Sequence, residues 1–598
     1  MAGPSVHKPR RKVQKREGGH TAHDRDANIR RPAFPLAAIL WPARGFASQW
    51  EILPLILMAA GLFRWAAGLW GYSGFEKPPM FGDYEAQRHW MELTTHLPIS
   101  QWYFHDLPWW GLDYPPLTAY HSWLCGKIGS LIDPAWFALY TSRGIHDPNL
   151  KIFMRATVIV SEYLVFIPAA VVFVRRFSRL SGVANWTASV ALVAILMQPA
   201  TILVDHVHFQ YNTVMLGFVL ATMSSMLAGR YLWSAVYFVA ALGFKQMALY
   251  YAFPVFAFLL GSCLFPRVNL ARLTGIAIAT VAAFTILLLP LIIGTISDVK
   301  AGISPEPLLD GDNDLRSPPP PLLNGTALSA YLDPSASYYP IVEQLAQLVH
   351  RIFPFARGLF EDKVANFWCA LNLVYKLRAF PPALLQRGAL LATLAATLPP
   401  SLVIFARPDK LLLPLAFATT AWGFFLFSYQ VHEKSVLLPL MPMTLLLAGR
   451  GGVMARETRA WVGFANLLGC WTIFPLLARV ELRVPYAVLT LLWAYLLGLP
   501  PTSVSAYFDR EDGVDGLGWR GWATAFVHGG FYLFMGFWHV LEMFVKPPAE
   551  KPDLWVVMNV GVGAVGFGIC YLWCLGRLVG ESGILGGGGG VDVVKKRQ

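Results

Sequence analysis

Long apolar runs alternate with short polar breaks along almost the whole chain. Runs of the length that crosses a ~30 Å hydrocarbon layer as a helix, or nearly so, lie near 50–70, 153–174, 184–204, 212–228, 231–249, 250–265 and 270–294. Seven crossings leave the chain on the far side of a membrane. A polar, proline-rich loop follows there, from Ser297 through Pro318, Pro319, Pro320 and Pro321 to Asp362. Further runs lie near 385–406, 411–428, 435–449, 459–479, 484–500, 523–545 and 555–578. The pattern predicts an all-α polytopic membrane protein with about fourteen transmembrane helices. The apolar stretch Val364 to Tyr375 is short, and counting it as a span would put Arg450, Arg456 and Arg459 on the wrong side. It reads as interfacial or re-entrant.

Composition supports a membrane protein: 55% of the 598 residues are hydrophobic and 14% charged, with mean hydropathy +0.47. The formal charge of +12 (48 basic minus 36 acidic) is gathered in the N-terminal tail, which removes the nucleic-acid reading. Residues 1–45 carry ten Lys and Arg against three acids, whereas the loop 71–150 carries four against eight. The positive-inside rule makes the tail cytosolic and puts that loop across the membrane. The tail lacks a secretory signal, because no early apolar run exists, and Glu17, Asp24 and Asp26 argue against a mitochondrial presequence. The six cysteines are scattered and read as core residues, with neither disulfide nor metal spacing. The end, Lys595-Lys596-Arg597-Gln598, has the form of a dilysine retrieval signal. The expected organisation is a cytosolic tail (1–45), a main membrane module (46–450) with far-side loops near 71–152 and 295–384, C-terminal membrane helices (451–580), and a cytosolic end (581–598). Of two sequons, Asn185 falls on the cytosolic side and Asn324 in the far-side loop, where a glycan is possible.

The polar clusters fall on one face. Asp83 and Glu85, two apart, share a side only in an extended chain and diverge in a helix, so one of them does the work. Gly82 permits close backbone approach, and Arg88 and His89 add groups suited to a polar ligand. Six aromatics between 102 and 114, including Trp109, Trp110 and Tyr114, form either an interfacial belt or a platform for sugar rings. Asp113-Tyr114-Pro115-Pro116 holds Asp113 in a rigid turn. His206, His208, Gln210 and Asn212 end the third span, and read as a hydrogen-bonded cluster rather than a metal site. Lys245-Gln246 interrupts an apolar run, so its cation either snorkels or binds an anion. His432-Glu433-Lys434 follows the 411–428 span on the same side. Asp310 to Asp314 reads as a solvated acidic loop, because the calcium-loop positions six and twelve hold Leu315 and Pro321. Clusters so far apart in sequence on one face suggest a shared pocket, half in lipid and half in water.

The wording of these clusters is specific. Gly82-Asp83-Tyr84-Glu85-Ala86-Gln87-Arg88-His89-Trp90, Trp110-Gly111-Leu112-Asp113-Tyr114-Pro115-Pro116-Leu117-Thr118-Ala119-Tyr120-His121, His208-Phe209-Gln210-Tyr211-Asn212, Phe360-Glu361-Asp362-Lys363-Val364-Ala365-Asn366-Phe367-Trp368 and Val431-His432-Glu433-Lys434 together resemble the dolichyl-phosphate-glucose-dependent glucosyltransferases of N-glycan assembly. The likeness runs from about residue 50 to 450. Within that family it points to the branch that adds the first glucose to a nine-mannose lipid-linked oligosaccharide.

The resemblance implies a GT-C fold in the endoplasmic reticulum membrane, with both termini cytosolic and a lumenal active site. It implies a dolichyl-phosphate-glucose donor, a dolichyl-diphosphate-linked oligosaccharide acceptor and inversion to an α-1,3 linkage. Asp83 matches the family's catalytic aspartate, with Glu85 orienting or compensating. The charged phosphate leaving group calls for cationic or N–H donors rather than a metal or other cofactor, with His432 first and Lys245, Lys434 and Arg88 behind it. Glu85, Asp113, Tyr114, Trp109, Trp110, His208 and Gln210 are expected to bind substrate. The alternatives are the sibling that adds the second glucose and, from another class, a lipid-linked sugar transporter. No second copy of the Asp113 or His432 motifs supplies the internal repeat a transporter commonly shows.

Overall fold

The structure, a computed structural model, describes residues 34–303, 320–323, 326, 329–353, 360, 362–508 and 518–585. The basic residues up to Arg31, the acidic run at 310–314, Asn324, Glu361 and the dilysine end lie outside the described residues. All regular structure among the described residues is helical. In lipid that is one of two ways to satisfy every backbone N–H and C=O within the chain.

Among the described residues, eight helices are long and apolar enough to cross a membrane. They are Pro148–Leu180, Asn185–Phe209, Gln246–Leu264, Leu270–Lys300, Pro382–Ala406, Lys410–Phe427, Arg456–Arg479 and Leu554–Ser582. Shorter apolar helices cover Leu53–Gly68, Asn212–Leu227, Tyr231–Phe244 and Arg483–Leu497, and Trp519–Phe544 forms a further long helix. The protein is thus a multi-pass membrane protein. The run read at 435–449 folds as a short helix, Leu437–Thr444, and one 3-10 turn through Ala448. With prolines at 439 and 442 it is buried throughout, surrounded by protein rather than by lipid. The stretch after Val364 yields only the eight-residue helix Phe367–Val374, about 12 Å long and too short to span.

Burial separates central from peripheral helices. The apolar window of Asn185–Phe209 is 94% buried and that of Arg456–Arg479 is 89%, whereas that of Leu270–Lys300 is 6% buried. Leu270–Lys300 presents Ile278, Val281 and Ile286 outward, the apolar surface that hydrocarbon would cover. All six cysteines are buried and unpaired, in keeping with their reading as core.

Three local breaks place polar groups together. Residues Ile202–Phe209 form a π-helical segment, a rare geometry that often marks function. It ends at Phe209 with φ of 88°. The helix Tyr231–Phe244 stops at an extended Lys245. After Phe427 the chain turns through His432 into the 3-10 turn Glu433–Val436.

Candidate active site

Asp83 opens the helix Gly82–His96, and the turn that delivers it is tightly specified. Phe81 and Gly82 both have positive φ, 54° and 63°. A Cβ on Gly82 would lie 2.8 Å from the Ser73 backbone, and one on Gly74 would lie 2.0 Å from Phe81. The loop therefore crosses its own chain where only glycine fits. Ser73 Oγ accepts from the Asp83 N–H at 3.3 Å, and the Ser73 N–H donates to the His208 carbonyl at 3.1 Å. One short segment thus ties the aspartate to the π-helical turn.

The Asp83 carboxylate is 23% exposed and ion-paired with Lys434. Gln210 Nε2 donates to the same oxygen at 2.8 Å, and His208 Nδ1 lies 3.5 Å from it. Behind them Lys245 Nζ donates to Gln210 Oε1 at 2.9 Å and to Asn212 Oδ1 at 2.7 Å. Asn212 Nδ2 in turn donates to Asp205 at 2.7 Å. Lys245 is buried and sits 4.5 Å from the centre of the Tyr114 ring, a cation–π contact. Burial pushes the Asp83 carboxyl up, but the Lys434 ammonium, His208 and the hydrogen bonds from Lys434 and Gln210 outweigh it. They hold the group well below the ordinary carboxylate range.

Asp83, His208, Gln210, Lys245, Tyr114 and Lys434 are therefore brought together. Glu85 and Arg88 are not. Arg88 is buried and grips Glu85 through two bonds of 2.8 and 2.6 Å, Glu92 at 2.6 Å, and Ser142 Oγ at 2.6 Å. The expectation that Arg88 meets a phosphate is at odds with this geometry, because its guanidinium is spent on a buried carboxylate pair. The expected aromatic pair also splits. Trp110 donates to the Met80 carbonyl at 2.5 Å beside the Asp83 turn, whereas Trp109 stacks against Arg143, which pairs with Asp106. Asp113 sits in a turn that Arg351 holds by bonds to the Leu112 and Gly111 carbonyls. Gln246 contacts the Asp113 carbonyl at 3.5 Å.

His206 and His208 turn to different partners, His206 Nε2 lying 2.6 Å from Glu162 and His208 Nδ1 3.5 Å from Asp83. Glu162 is also held by Arg64 at 2.6 and 2.8 Å, in a triad that sequence reasoning missed because its members lie in three different apolar runs. A second missed grouping joins Asp362, His432 and Glu433, whose donor atoms lie within 4.8 Å of one another and could hold a metal ion. His432 Nδ1 accepts from the Lys434 N–H at 3.1 Å. Burial, reinforced by the Asp362 carboxylate, raises the Glu433 carboxyl. No signal of spacing marks Asp362 as a neighbour of residue 433. Ser73 and Arg351 were likewise invisible, because each acts through backbone contacts.

The ALG6, ALG8 glycosyltransferase family model matches residues 56–305 and 327–575. The chain belongs to this family. The match runs on past residue 450, where the likeness read from short motifs faded. A relative from Schizosaccharomyces pombe, named as a probable dolichyl pyrophosphate Man9GlcNAc2 alpha-1,3-glucosyltransferase, is 41% identical over 539 residues, covering 90% of this chain and 93% of the relative. The dolichyl pyrophosphate Man9GlcNAc2 alpha-1,3-glucosyltransferase of Saccharomyces cerevisiae is 40% identical, covering 90% and 94%. That of Gallus gallus is 34% identical, covering 87% and 95%.

Proposed function

We propose that this family member transfers glucose from dolichyl-phosphate-glucose to the terminal mannose of the nine-mannose dolichyl-diphosphate-linked oligosaccharide, forming an α-1,3 linkage with inversion. The names of the relatives support the acceptor and the linkage. The observation that carries the chemistry is the partly open Asp83 carboxylate, reached by Lys434, Gln210 and His208 from remote parts of the chain. The acceptor hydroxyl oxygen attacks the anomeric carbon as the bond from that carbon to the phosphate oxygen breaks. The phosphate leaves with the bonding pair, and Asp83 takes the hydroxyl proton.

Lys434 has a second part in this reading. In the resting site it neutralises Asp83. A donor phosphate offers the ammonium a competing anion, and its departure leaves the carboxylate more basic when the acceptor is present. Lys245 and His432 supply the other cationic or N–H groups near the charge that builds on the leaving phosphate. Tyr114, Trp110 and Asp113 shape the acceptor side. The fold in this reading is GT-C, with about fourteen crossings, cytosolic termini and a lumenal site in the endoplasmic reticulum membrane.

The reading assigns no metal to the reaction. The Asp362, His432 and Glu433 grouping makes chelation a direct test. Purified protein is given labelled donor and nine-mannose acceptor, with and without chelator. Chelator-resistant transfer that disappears in Asp83→Asn supports the whole reading, whereas loss on chelation removes the metal-free mechanism. The family model spans two branches, so product mapping separates first-glucose from second-glucose transfer. Turnover in detergent, where no compartment exists to cross, separates an enzyme from a transporter.

A further inference from the structure

A cleft of about 450 Å³ opens between the end of Arg456–Arg479 and the facing ends of Trp519–Phe544 and Leu554–Ser582. Its wall is aromatic, with Phe474, Trp538 and Trp555, and its rim carries Arg479, Arg483 and Lys546. Glu542 also lines it, but both of its oxygens are taken by Arg483 at 2.5 and 2.7 Å. Arg479 and Lys546 are exposed, and among the described residues neither has a carboxylate within ion-pair distance. Counted over its lining side chains, the cleft thus holds a surplus of two positive charges.

Two helix beginnings add to that field. Arg483–Leu497 and Leu554–Ser582 both start here, and neither has a side-chain cap. The first intrahelical bond of the second runs from Val557 N–H to the Asp553 carbonyl. The helix itself therefore offers no acceptor to the amides of Trp555 and Val556, two residues that line the cleft. Uncapped N-termini together with unpaired cations favour a multivalent anion. The aromatic wall and the exposed Met543, Phe544 and Val545 beside it favour a ligand whose other end is hydrocarbon.

The cleft is tied to the active site. Lys77, six residues before Asp83, donates to the Arg479 carbonyl at 2.6 Å. The Arg479 guanidinium also acts electrostatically on Glu433, next to Lys434.

We infer that this cleft seats the diphosphate linker of the lipid-bound acceptor, separately from the donor phosphate at Asp83, so that the glycan is anchored while its tip reaches the base. The inference rests on the reaction proposed above. A phosphodiester, such as the sugar-phosphate-lipid donor, carries one negative charge and would leave one of the two surplus charges unmatched, whereas a diphosphate esterified at both ends carries two and meets both.

The test uses full-length Arg479→Gln/Lys546→Gln and Lys546→Gln, with exposed positions chosen so that folding is kept. KM for the diphosphate-linked acceptor should rise about tenfold in the double variant, and by less in the single one, with kcat and donor KM unchanged. Farnesyl diphosphate should compete with the acceptor in wild type, and its quenching of tryptophan fluorescence should weaken by a similar factor in the double variant. An unchanged acceptor KM overturns the inference, as does competition with the donor alone. Loss of co-purifying anionic phospholipid with acceptor KM intact overturns it in favour of bulk lipid. If wild type shows no turnover, the functional reading has failed. Farnesyl diphosphate binding that still depends on Arg479 and Lys546 would then support the cleft by itself, and binding indifferent to them would sink it.

Discussion

Asp83 and Glu85 start the same helix two residues apart, and the fold sends them to opposite fates. Asp83 keeps 23% of its side chain open and takes its partners from residues 127 and 351 positions away. Glu85 is 2% exposed and takes its partner from Arg88, three positions on, which also holds Glu92 one turn further. A charge satisfied locally and sealed from solvent builds a scaffold. One satisfied from far away, with an open edge, is left available for a substrate to displace its partner. The helix is thus divided into a first turn with an open carboxylate, the reactive one in the proposed mechanism, and a sealed structural body.

Three perturbations would break or sharpen that division. Asp83→Asn should lower turnover about 10³-fold or more through loss of the base while leaving thermal unfolding unchanged, and Glu85→Gln should move the unfolding midpoint more than turnover. A reversed ranking in paired activity and melting assays would show that the wrong carboxylate has been assigned. Arg88→Met should come next, destabilising the fold by about 3–5 kcal/mol because Glu85 and Glu92 remain buried without their cation. Denaturation in detergent would read this, and a purely kinetic defect in a protein of full stability would contradict it.

The smallest effects lie in pH dependence. Lys434→Gln removes the main group holding Asp83 down, so the acid limb of kcat/KM should move up by about 1–3 units; an unmoved limb would mean that another group governs it. In the structural half, burial pushes Glu92 up, but the His89 hydrogen bond and the Arg88 pair hold it at about 2. A depressed carboxyl lends stability that is complete above its unfolded value, ~4.3, and lost on acidification. Unfolding monitored in acid should therefore weaken as pH falls from about 4 toward 2, and a stability flat across that window would exclude Glu92 as a contributor.

Much of this was legible in residues alone. The apolar spacing marked the helices, since lipid demands long continuous runs and punishes interruption, and Lys245 stood out for that reason. It is there that the helix breaks. The two-residue spacing of Asp83 and Glu85 foretold divergence in a helix, as observed. In a helix Glu85 stands three positions from Arg88 whatever the phase; what spacing could not convey was which face would be sealed, because the left-handed turn at Phe81 and Gly82 sets how the helix enters the fold.

By itself the sequence determined a helical membrane protein, its family, and a short roster of polar residues gathered on one side. Hydrophobic period and local wording carry that information. Only the tertiary structure decided that Lys434 pairs with Asp83, that Arg88 is sealed away, that Trp109 and Trp110 part company, and that Asp362 joins His432 and Glu433. Apart from the ion pairs of Arg88, which are local to its helix, these pairings link positions tens to hundreds of residues apart. Their energies come from desolvation and charge at short range, quantities that exist only after the helices have packed.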